Sequence, residues 1–373
     1  MSYRWVLAFV LLLVSLPGRV SAQQLAPWRD PSSHAVQFVT VDKDVKLEVL
    51  DWGGSGRPLV LLAGEGGSAH VFDDFASKLT SDFHVYGITR RGYGASSAPS
   101  SGYTADRLGD DVLAVIDALK LERPVLVGHS IAGEELSSVG SRHPERVAGL
   151  IYLDAAYSYA FYDTSHGDLD IDLNELRGQI NSLQSEAGNQ KQLAQQLLQT
   201  TIPAFEKDLT QRQEEQAKRP RLPNPLPATT ADLESFDAYR AYQKRVLGWP
   251  RTEANLRGQF ELTPDGHLGK SRLTPGLHQA LMAGLQKYTD VRVPILAIFA
   301  SPADPGPYAH GDSEALAAFE AYDSALTEAQ ANAVRAAGPS AHVVLLPHAN
   351  HAIFLSNEAD VLREMRVFLA SLN

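Results

Sequence analysis

The chain has 373 residues, enough for one large domain or two smaller ones, and its hydrophobic fraction of 44% is typical of a globular protein. Its net charge of -11 argues against a nucleic-acid binder, which needs clustered Lys and Arg to release counterions from phosphates. The chain contains no cysteine, so disulfides are excluded and core packing alone must stabilise the fold.

The N-terminus predicts a secretory signal peptide. Arg4 provides a basic start, an apolar run occupies residues 5–16, and Val20 and Ala22 stand at the small-residue positions that precede a cleavage site. The apolar run is too short for a bilayer span, which needs about 20 residues, and an uncleaved membrane anchor is the alternative. We expect cleavage near Ala22 and a secreted or periplasmic mature protein that does not associate with a membrane.

From about residue 36 onward, strand-like and helix-like segments alternate. Residues 36–41 and 45–53 predict a β-hairpin, and residues 104–120 space their apolar side chains for one helix face. Short continuous apolar runs, typical of strands buried on both faces, occupy residues 58–64, 83–89, 124–130, 147–155, 293–300 and 342–348. This alternation predicts an α/β fold whose mostly parallel central sheet has about eight strands.

The alternation is interrupted once, between residues 156 and 290. This stretch contains a Gln-rich helical segment, a proline-rich connector at 220–227 and a second helical segment in which Thr229 and Asp232 have capping-box spacing. We expect a helical cap inserted after the sixth strand; a disordered linker is disfavoured by the Leu, Tyr and Phe content. The expected segments are a signal peptide, a first core part, the cap and a second core part, at 1–22, 23–155, 156–290 and 291–373.

A serine stands where the fifth strand-like run meets a helix. The segment GHSIAG at 128–133 matches the motif G-x-S-x-G with Ala132 in the last position. Such a turn is sharp, so the positions two before and two after the serine must be small, as Gly128 and Ala132 are. The turn would present the Ser130 hydroxyl at a helix N-terminus, where the dipole favours negative charge. An ordinary strand-to-helix serine is the alternative.

A nucleophilic serine needs a base and an orienting acid, in the chain order serine, acid, histidine. His351 enters the loop after the last strand and is the preferred base, because the competing His348 closes that strand itself. Asp304 follows the penultimate strand and is the preferred acid, while Asp154 at the end of the sixth strand is the alternative. The two histidines also form H-x-x-H, but their loop has no carboxylate to complete a site, so we expect no metal.

An acyl-transfer site also needs backbone donors for an oxyanion. The N–H of Ile131 is one candidate, and the N–H of Glu65 or Gly66, in the loop after the third strand, is the other. A carboxylate pointing into the site would oppose an oxyanion. We therefore expect the Glu65 side chain to turn away, toward Arg90 or Arg91.

The same loop supports a rival interpretation. Residues 64–69 satisfy G-x-G-x-x-A, and Arg90 and Arg91 follow the next strand, as an NADP-binding Rossmann reductase would require. A dinucleotide fingerprint normally follows the first strand, however, and here two strand-like runs precede the glycines. The interpretation also leaves residues 128–133 and His351 unexplained.

Taken together, the motifs resemble those of the α/β-hydrolase superfamily across residues 36–373. The resemblance rests on GHSIAG, RRGYGASS, LIYLDA, ASPADP and NHAIFLSNEADV. It implies a serine hydrolase with nucleophile Ser130, acid Asp304 and base His351, and with no organic or metal cofactor. The chain departs from the family pattern at Ala132 and in an oxyanion loop that has Ala-Gly where His-Gly is common.

These observations favour a carboxylic-ester hydrolase that forms an acyl-enzyme with a small-molecule ester or related acyl substrate. The same triad would serve a lactonase, an amidase or peptidase-like enzyme, or a cofactor-free haloperoxidase, and fold does not choose among them. A non-catalytic ligand-binding homologue is the alternative of a different class. Glu134 and Glu135 are expected at the helix surface or behind the site, with no role. The candidates for lining a substrate pocket under a closing cap are His129, Phe161, Tyr162, Tyr239, Tyr242 and Trp249.

Overall fold

The computed structural model describes residues 28–164, 166–185, 189–336 and 340–372. Contacts divide the chain into two units, residues 1–31 and 32–373. In the first unit only residues 28–31 are described, and these form neither helix nor strand. The predicted signal peptide and its cleavage position near Ala22 lie outside the described residues. Within the described ranges, no helix is long and apolar enough to cross a membrane.

A central sheet of eight strands organises residues 32–373. The strands are numbered along the whole chain, and two of the numbers belong to a separate pair outside this sheet. The strands of the central sheet are β1 (Ala35–Asp42), β2 (Val45–Gly53), β3 (Pro58–Leu62), β4 (His84–Ile88), β5 (Val125–His129), β6 (Gly149–Leu153), β9 (Ile295–Ala300) and β10 (Ala341–Leu346). The order across the sheet is β1-β2-β4-β3-β5-β6-β9-β10. The predicted hairpin β1–β2 is antiparallel, β2 is antiparallel to β4, and every other neighbouring pair is parallel. The predicted fold class is confirmed.

The central strands are apolar because both faces of the sheet are covered. Every residue of β5 and β6 is buried. Along β3, Leu59 and Leu61 enter the core on one face, while Val60 and Leu62 enter the core on the other. Full burial of such an aliphatic side chain stabilises the fold by about 1.5–3 kcal/mol. These strands therefore form a rigid platform whose carboxyl ends meet at one edge.

In the part of the chain that the structure describes, six helices pack on the sheet. On one face lie α2 (Ala105–Leu119), α3 (Gly133–Arg142) and α10 (Ser313–Ala336). On the other face lie α1 (Asp73–Ala76), α11 (Ile353–Ser356) and α12 (Glu358–Ser371). The predicted helix at 104–120 is α2, and Thr104 caps it by accepting a hydrogen bond from the Arg107 N–H at 3.3 Å.

The segment between β6 and β9 is mainly helical. Its elements are α4 (Leu169–Ser185), α5 (Gln190–Gln196), α6 (Ile202–Lys218), α7 (Phe236–Leu247), α8 (Glu253–Gln259), β7 (Phe260–Leu262), β8 (Leu268–Ser271) and α9 (Leu277–Met282). β7 and β8 form a small separate antiparallel pair that the sequence analysis missed. We call this segment the cap. It contacts the core through α7, where the Asn350 side-chain amide donates to the Leu247 carbonyl at 2.9 Å.

The predicted capping box exists, but it starts a shorter element than expected. The Thr229 N–H donates to Asp232 Oδ2 at 2.8 Å, and the Asp232 N–H donates to Thr229 Oγ1 at 3.4 Å. Thr229 precedes a single 3-10 turn at Ala231–Leu233, and Asp232 lies within that turn. The helix α7 has its own cap, Ser235, which accepts from the Ala238 N–H at 3.1 Å.

Candidate active site

Ser130 lies at the strained turn between β5 and α3. Its φ is +55°, in the left-handed region that an L-residue adopts only when its surroundings enforce it. The surroundings leave no room for larger neighbours. A Cβ at Gly128 would lie 2.8 Å from Leu136, and a Cβ at Gly133 would lie 1.9 Å from the Ala155 carbonyl oxygen. The small residues of the motif therefore allow the chain to turn and expose the serine.

A hydrogen-bonded chain joins Ser130 to a histidine and a carboxylate. His351 Nε2 lies 2.9 Å from Ser130 Oγ, and His351 Nδ1 lies 2.6 Å from Asp154 Oδ2. An acidic partner at Nδ1 fixes the tautomer that carries the proton there, which leaves Nε2 free to accept the serine proton. The three residues thus have the geometry of a nucleophile, a base and an orienting acid.

Asp154 is held in place by the ends of two strands. It follows β6 directly with φ of +48°, is 3% exposed, and its Oδ1 accepts from the Ala300 N–H at 3.0 Å and from the Tyr157 hydroxyl at 2.6 Å. Burial, followed by the Asp154 charge, raises the pKa of Tyr157, so its hydroxyl stays protonated and donates. With His351 on the other oxygen, the carboxylate is oriented from three directions.

The prediction that Asp304 orients His351 is wrong in this structure, and the alternative Asp154 takes that position. Asp304 Oδ1 accepts from the Gly306 N–H at 2.8 Å and lies 2.9 Å from His310 Nε2. Its side chain therefore shapes its own loop. The physical reason is position: Asp154 ends the strand next to β5, whereas Asp304 lies four residues beyond its strand, on the far side of β6.

The choice of His351 over His348 agrees with the geometry. His348 is exposed, and its Nδ1 lies 3.4 Å from Glu320 Oε1 on α10. Its side chain therefore contacts a surface carboxylate, while the His351 ring contacts Ser130 and Asp154.

The loop after β3 lies directly against the serine. A Cβ at Gly64 would lie 2.9 Å from Ser130 Cβ, so only glycine permits this approach. Gly66 has φ of +71°, and its carbonyl accepts from the Gln259 side chain of α8. The amides of Ile131, Glu65 and Gly66 all stay candidates for an oxyanion hole.

The Glu65 side chain has a different partner from the predicted one. Its Oε1 lies 2.9 Å from His278 Nδ1, on cap helix α9. Arg90 forms a two-pronged ion pair with Glu135 at 2.5 and 3.0 Å, and Arg91 forms one with Asp111 at 2.6 and 2.7 Å. Both arginines are buried. Their engagement also removes the basis of the NADP-binding interpretation.

Glu134 and Glu135, expected at the helix surface or behind the site, are both buried in α3. Neither carboxylate oxygen of Glu134 forms a hydrogen bond with any residue that the structure describes. Burial, reinforced by the charge of Glu135, raises the pKa of Glu134 well above its ordinary value, so the group is held protonated in the folded state.

Tyr159 is a site residue that the sequence analysis missed. Its hydroxyl lies near Ser130, and its ring packs against Ile131 and Ile171. Burial raises the pKa of Tyr159 well above its ordinary value, so the hydroxyl remains a donor. The sequence carries a signal for it, because Tyr159 belongs to the same aromatic stretch after β6 as the pocket candidates Phe161 and Tyr162.

His129 positions the base rather than lining a pocket. Its Nε2 lies 3.0 Å from the His351 carbonyl oxygen, and the two rings are 4.8 Å apart. Burial, followed by the nearby His351, lowers the pKa of His129 well below its ordinary value. The ring is therefore neutral and donates its one N–H to that carbonyl, which fixes the loop that carries His351.

The aromatic pocket candidates of the cap lie in packed positions. Phe161 is 3% exposed in the main core, against the Tyr152 ring, so that prediction is wrong. Tyr162 donates to Asp172 at 2.5 Å, and Trp249 packs on the core. Tyr239 and Tyr242 stack on each other with ring centres 5.7 Å apart. None of these five is shown beside Ser130 within the described part of the chain.

The site is open to solvent. The His351 side chain is 52% exposed, so the expected closure of the cap over the imidazole is not seen in this structure. Beside the oxyanion loop lies a cavity of about 360 Å³, lined among others by Glu65, Gly66, Tyr93, Arg251 and Leu277. The His351 imidazole is therefore accessible from solvent, next to a loop that borders this cavity.

Comparisons with known proteins identify the fold family. The family model for the alpha/beta hydrolase fold matches residues 57–358. A putative non-heme haloperoxidase from Mycobacterium phage D29 is 32% identical over 111 residues, which are 30% of this chain and 40% of that protein. The AB hydrolase superfamily protein YisY from Bacillus subtilis is 36% identical over 121 residues, 32% of this chain and 45% of that protein. The matches thus span less than half of these curated relatives.

Solved structures share the overall fold. The crystal structure of E-2-(acetamidomethylene)succinate hydrolase superposes with a TM-score of 0.54 and 19% identity, covering 91% of this chain and all of that one. At this identity the similarity concerns the fold alone.

Proposed function

Because this chain belongs to the alpha/beta hydrolase fold family, we propose that it is a serine hydrolase that cleaves small carboxylic esters through an acyl-enzyme. The observation that supports the proposal is the continuous chain from Ser130 Oγ through His351 to Asp154, at 2.9 and 2.6 Å. A serine so placed has a base within reach, and the base has a buried carboxylate as its partner.

In the proposed reaction, Ser130 Oγ attacks the acyl carbon and His351 Nε2 takes its proton. Asp154 stabilises the imidazolium, and the N–H groups of Ile131 and Glu65 donate to the oxyanion. His351 then gives the proton to the departing alkoxide. In the second half a water molecule attacks the acyl-enzyme, again with His351 as base, and releases the acid and the free serine.

Perhydrolysis is the second candidate function. It is supported by a relative named a putative non-heme haloperoxidase and another named a bifunctional esterase/perhydrolase. Hydrogen peroxide would replace water in the second half-reaction and yield a peracid. Lactone or amide hydrolysis would use the same residues. A non-catalytic binding protein is disfavoured because a ligand pocket does not need a serine, a histidine and a carboxylate joined in one hydrogen-bonded chain.

The test is hydrolysis of p-nitrophenyl esters of increasing acyl length by the mature chain and by Ser130→Ala. We expect turnover that falls by at least about 10³-fold in the variant, since removal of a triad member leaves only binding and oxyanion contributions. Turnover retained in Ser130→Ala would contradict the serine mechanism. A folded wild-type chain that binds a fluorophosphonate at Ser130 but cleaves no ester would place the activity on another acyl bond.

We also propose that the protein is exported and that residues 1–22 are removed. The basic start, the short apolar run and the small residues before Ala22 support this. Expression of the full chain in a bacterial host, followed by fractionation and N-terminal sequencing, provides the check. A chain that keeps Met1 and pellets with the membranes would contradict it.

A further inference from the structure

A second cluster of ionisable side chains lies apart from the triad, where the segment before β1 meets the start of α1. It consists of His34, His70 and Asp73, and we call it the His–Asp cluster. One ligand atom from each residue lies within 4.8 Å of the others. His34 precedes β1, His70 lies in the 3-10 turn Ala69–Phe72, and Asp73 is the first residue of α1. The core fold therefore brings together two imidazoles and a carboxylate from separate elements.

The spacing within the cluster suits a bound metal ion. His34 Nδ1 lies 3.0 Å from Asp73 Oδ1, and His70 Nδ1 lies 3.4 Å from Asp73 Oδ2. A tetrahedral zinc ion with bonds of about 2.0–2.2 Å holds its ligand atoms roughly 3.3 Å apart. Both histidines turn the same ring nitrogen toward the carboxylate. The three side chains can therefore reach one ion with small adjustments.

The cluster also has the outer partners that metal ligands usually have. The Trp52 indole N–H donates to Asp73 Oδ1 at 3.0 Å. On the far side of the His70 ring, Nε2 lies 3.6 Å from Glu48 Oε1, and Glu48 in turn accepts from the Thr89 hydroxyl at 2.7 Å. A metal-bound imidazole commonly donates its other N–H to a carboxylate, which orients the ring and raises its basicity.

The burial and the charge of the His–Asp cluster also favour a bound cation. The side chains of His34 and Asp73 are each 3% exposed and that of His70 is 14% exposed. Asp73 Oδ2 is buried, and its contact with His70 Nδ1 at 3.4 Å is an ion pair without hydrogen-bond geometry within the described ranges. Asp73 and Glu48 together bring two negative charges into a site of low dielectric. Although burial opposes it, the contacts with Asp73 and Glu48 raise the pKa of His70 to about 10, so without a metal the His70 proton balances part of this charge, and a divalent cation would have to displace that proton.

We propose that the His–Asp cluster is a structural zinc site formed by His34, His70 and Asp73. Two imidazole nitrogens and a carboxylate oxygen favour zinc over magnesium or calcium, which prefer oxygen ligands. The ion would tie the segment before β1 to the loop that continues from Gly64 and Gly66. That loop also contacts the cap, because the Thr252 hydroxyl donates to the His70 carbonyl at 3.0 Å. The site takes no part in the proposed acyl transfer.

The test uses the whole mature chain, stripped with a chelator and dialysed against zinc chloride, with metal content and the unfolding temperature as readouts. We expect one zinc ion per chain and a rise of several degrees in Tm, since a ligand bound only by the folded state stabilises it. Magnesium chloride should do neither. Glu48→Gln, which removes an outer partner, should weaken zinc binding about 10–100-fold.

Matched variants separate this site from adventitious binding to histidine. His70→Gln should lose zinc and the Tm response, while His84→Gln, which alters a half-buried His–Asp pair at 2.8 Å, should keep both. Failure of the wild-type chain to bind zinc, with an unchanged Tm, would overturn the proposal and leave the cluster as an ion-pair network. Equal loss in His84→Gln would also overturn it. If His70→Gln does not fold, the absorption spectrum of Co²⁺ bound to the wild-type chain reports nitrogen coordination, and its absence would overturn the proposal.

Discussion

Three hydrogen bonds fix the Asp154 carboxylate before any substrate arrives. The Ala300 N–H and the Tyr157 hydroxyl bind one oxygen, and His351 contacts the other at 2.6 Å. A carboxylate held in this way cannot rotate away from the imidazole, so the histidine keeps the tautomer needed to accept a proton at Nε2. The ends of β6 and β9 thus hold Asp154, and Asp154 orients the His351 imidazole.

Exchange of the two candidate acids for amides tests this assignment. We expect Asp154→Asn to lower kcat about 10⁴-fold on the best ester, because the amide supports the wrong tautomer of His351. Asp304→Asn should keep kcat within about twofold, since its oxygen serves the Gly306 turn. Steady-state kinetics measure both, with Tm as the check on folding. A large loss in Asp304→Asn alone would refute the assignment.

The sequence was sufficient for the serine and the histidine but not for the acid. The turn motif and the position after the last strand identify Ser130 and His351 from local pattern alone. Asp154 and Asp304 both follow predicted strands and both satisfy the order serine, acid, histidine. The choice depends on β6 lying next to β5 and on the backbone angle at Asp154, neither of which a single sequence shows.

Among the elements, α3 is unusual because it has almost no exposed face. Every residue from Gly133 to Gly140 is buried, between the sheet, α2 and the segment after β6. Close packing begins at its first residue, where the Gly133 Cα faces the Ala155 carbonyl. The helix therefore fixes the elbow by contact on all sides and not only at its N-terminus.

Substitution of two helical glycines tests this packing. Gly133→Ala should destabilise the protein by about 1–3 kcal/mol, because its methyl group would lie 1.9 Å from the Ala155 oxygen and the elbow must shift. Gly178→Ala lies in α4, where a Cβ would have no described atom from outside its own helix backbone within 4 Å, and it should stabilise by about 0.5–1 kcal/mol through helix propensity. Urea unfolding measures the change in the free energy of unfolding for both variants. Equal changes would show that the close contact of Gly133 with the Ala155 oxygen does not destabilise the substituted protein.

The sequence predicted the strands that are buried on both faces of the sheet, but it did not predict the strands that are largely exposed. The core strands form continuous apolar runs because both faces are covered, so their positions follow from sequence. The short pair β7–β8 is largely exposed and has no alternation to reveal it. The burial of Glu134 and Glu135 was mispredicted for the opposite reason. Polar residues on a helix usually indicate an exposed face, but the tertiary packing around α3 buries both side chains.

For the molecule as a whole, the buried acid Glu134 links folding stability to pH. Arg90 favours its ionised form, but burial and the charges of Glu135 and Glu65 outweigh that effect and raise its pKa. The folded chain therefore holds a proton that the unfolded chain releases above the ordinary pKa of 4.5. Since unfolding releases this proton, the contribution of Glu134 lowers stability as pH rises, by about 1.4 kcal/mol per pH unit up to the folded pKa.

Glu134→Gln should remove this dependence. We expect the variant and the wild type to have the same free energy of unfolding near pH 4. At pH 7 the variant should have the higher free energy of unfolding, and this difference should increase as pH rises. The neighbouring Glu135→Gln is the control, and it should cost about 3–5 kcal/mol because it leaves the buried Arg90 charge without its carboxylate. Denaturant unfolding across pH decides; parallel curves for Glu134→Gln and wild type would contradict the prediction.

The half-exposed His351 side chain has a kinetic consequence under the proposed mechanism. An acyl group on Ser130 would stand where solutes diffuse freely, so its lifetime would depend on which small nucleophile arrives first. Water, alcohols and hydrogen peroxide would compete for the same carbon, each deprotonated by the same imidazole. The ratio of acid, transferred ester and peracid would then follow the composition of the surrounding medium, and one protein would serve as hydrolase or transferase according to where it is placed.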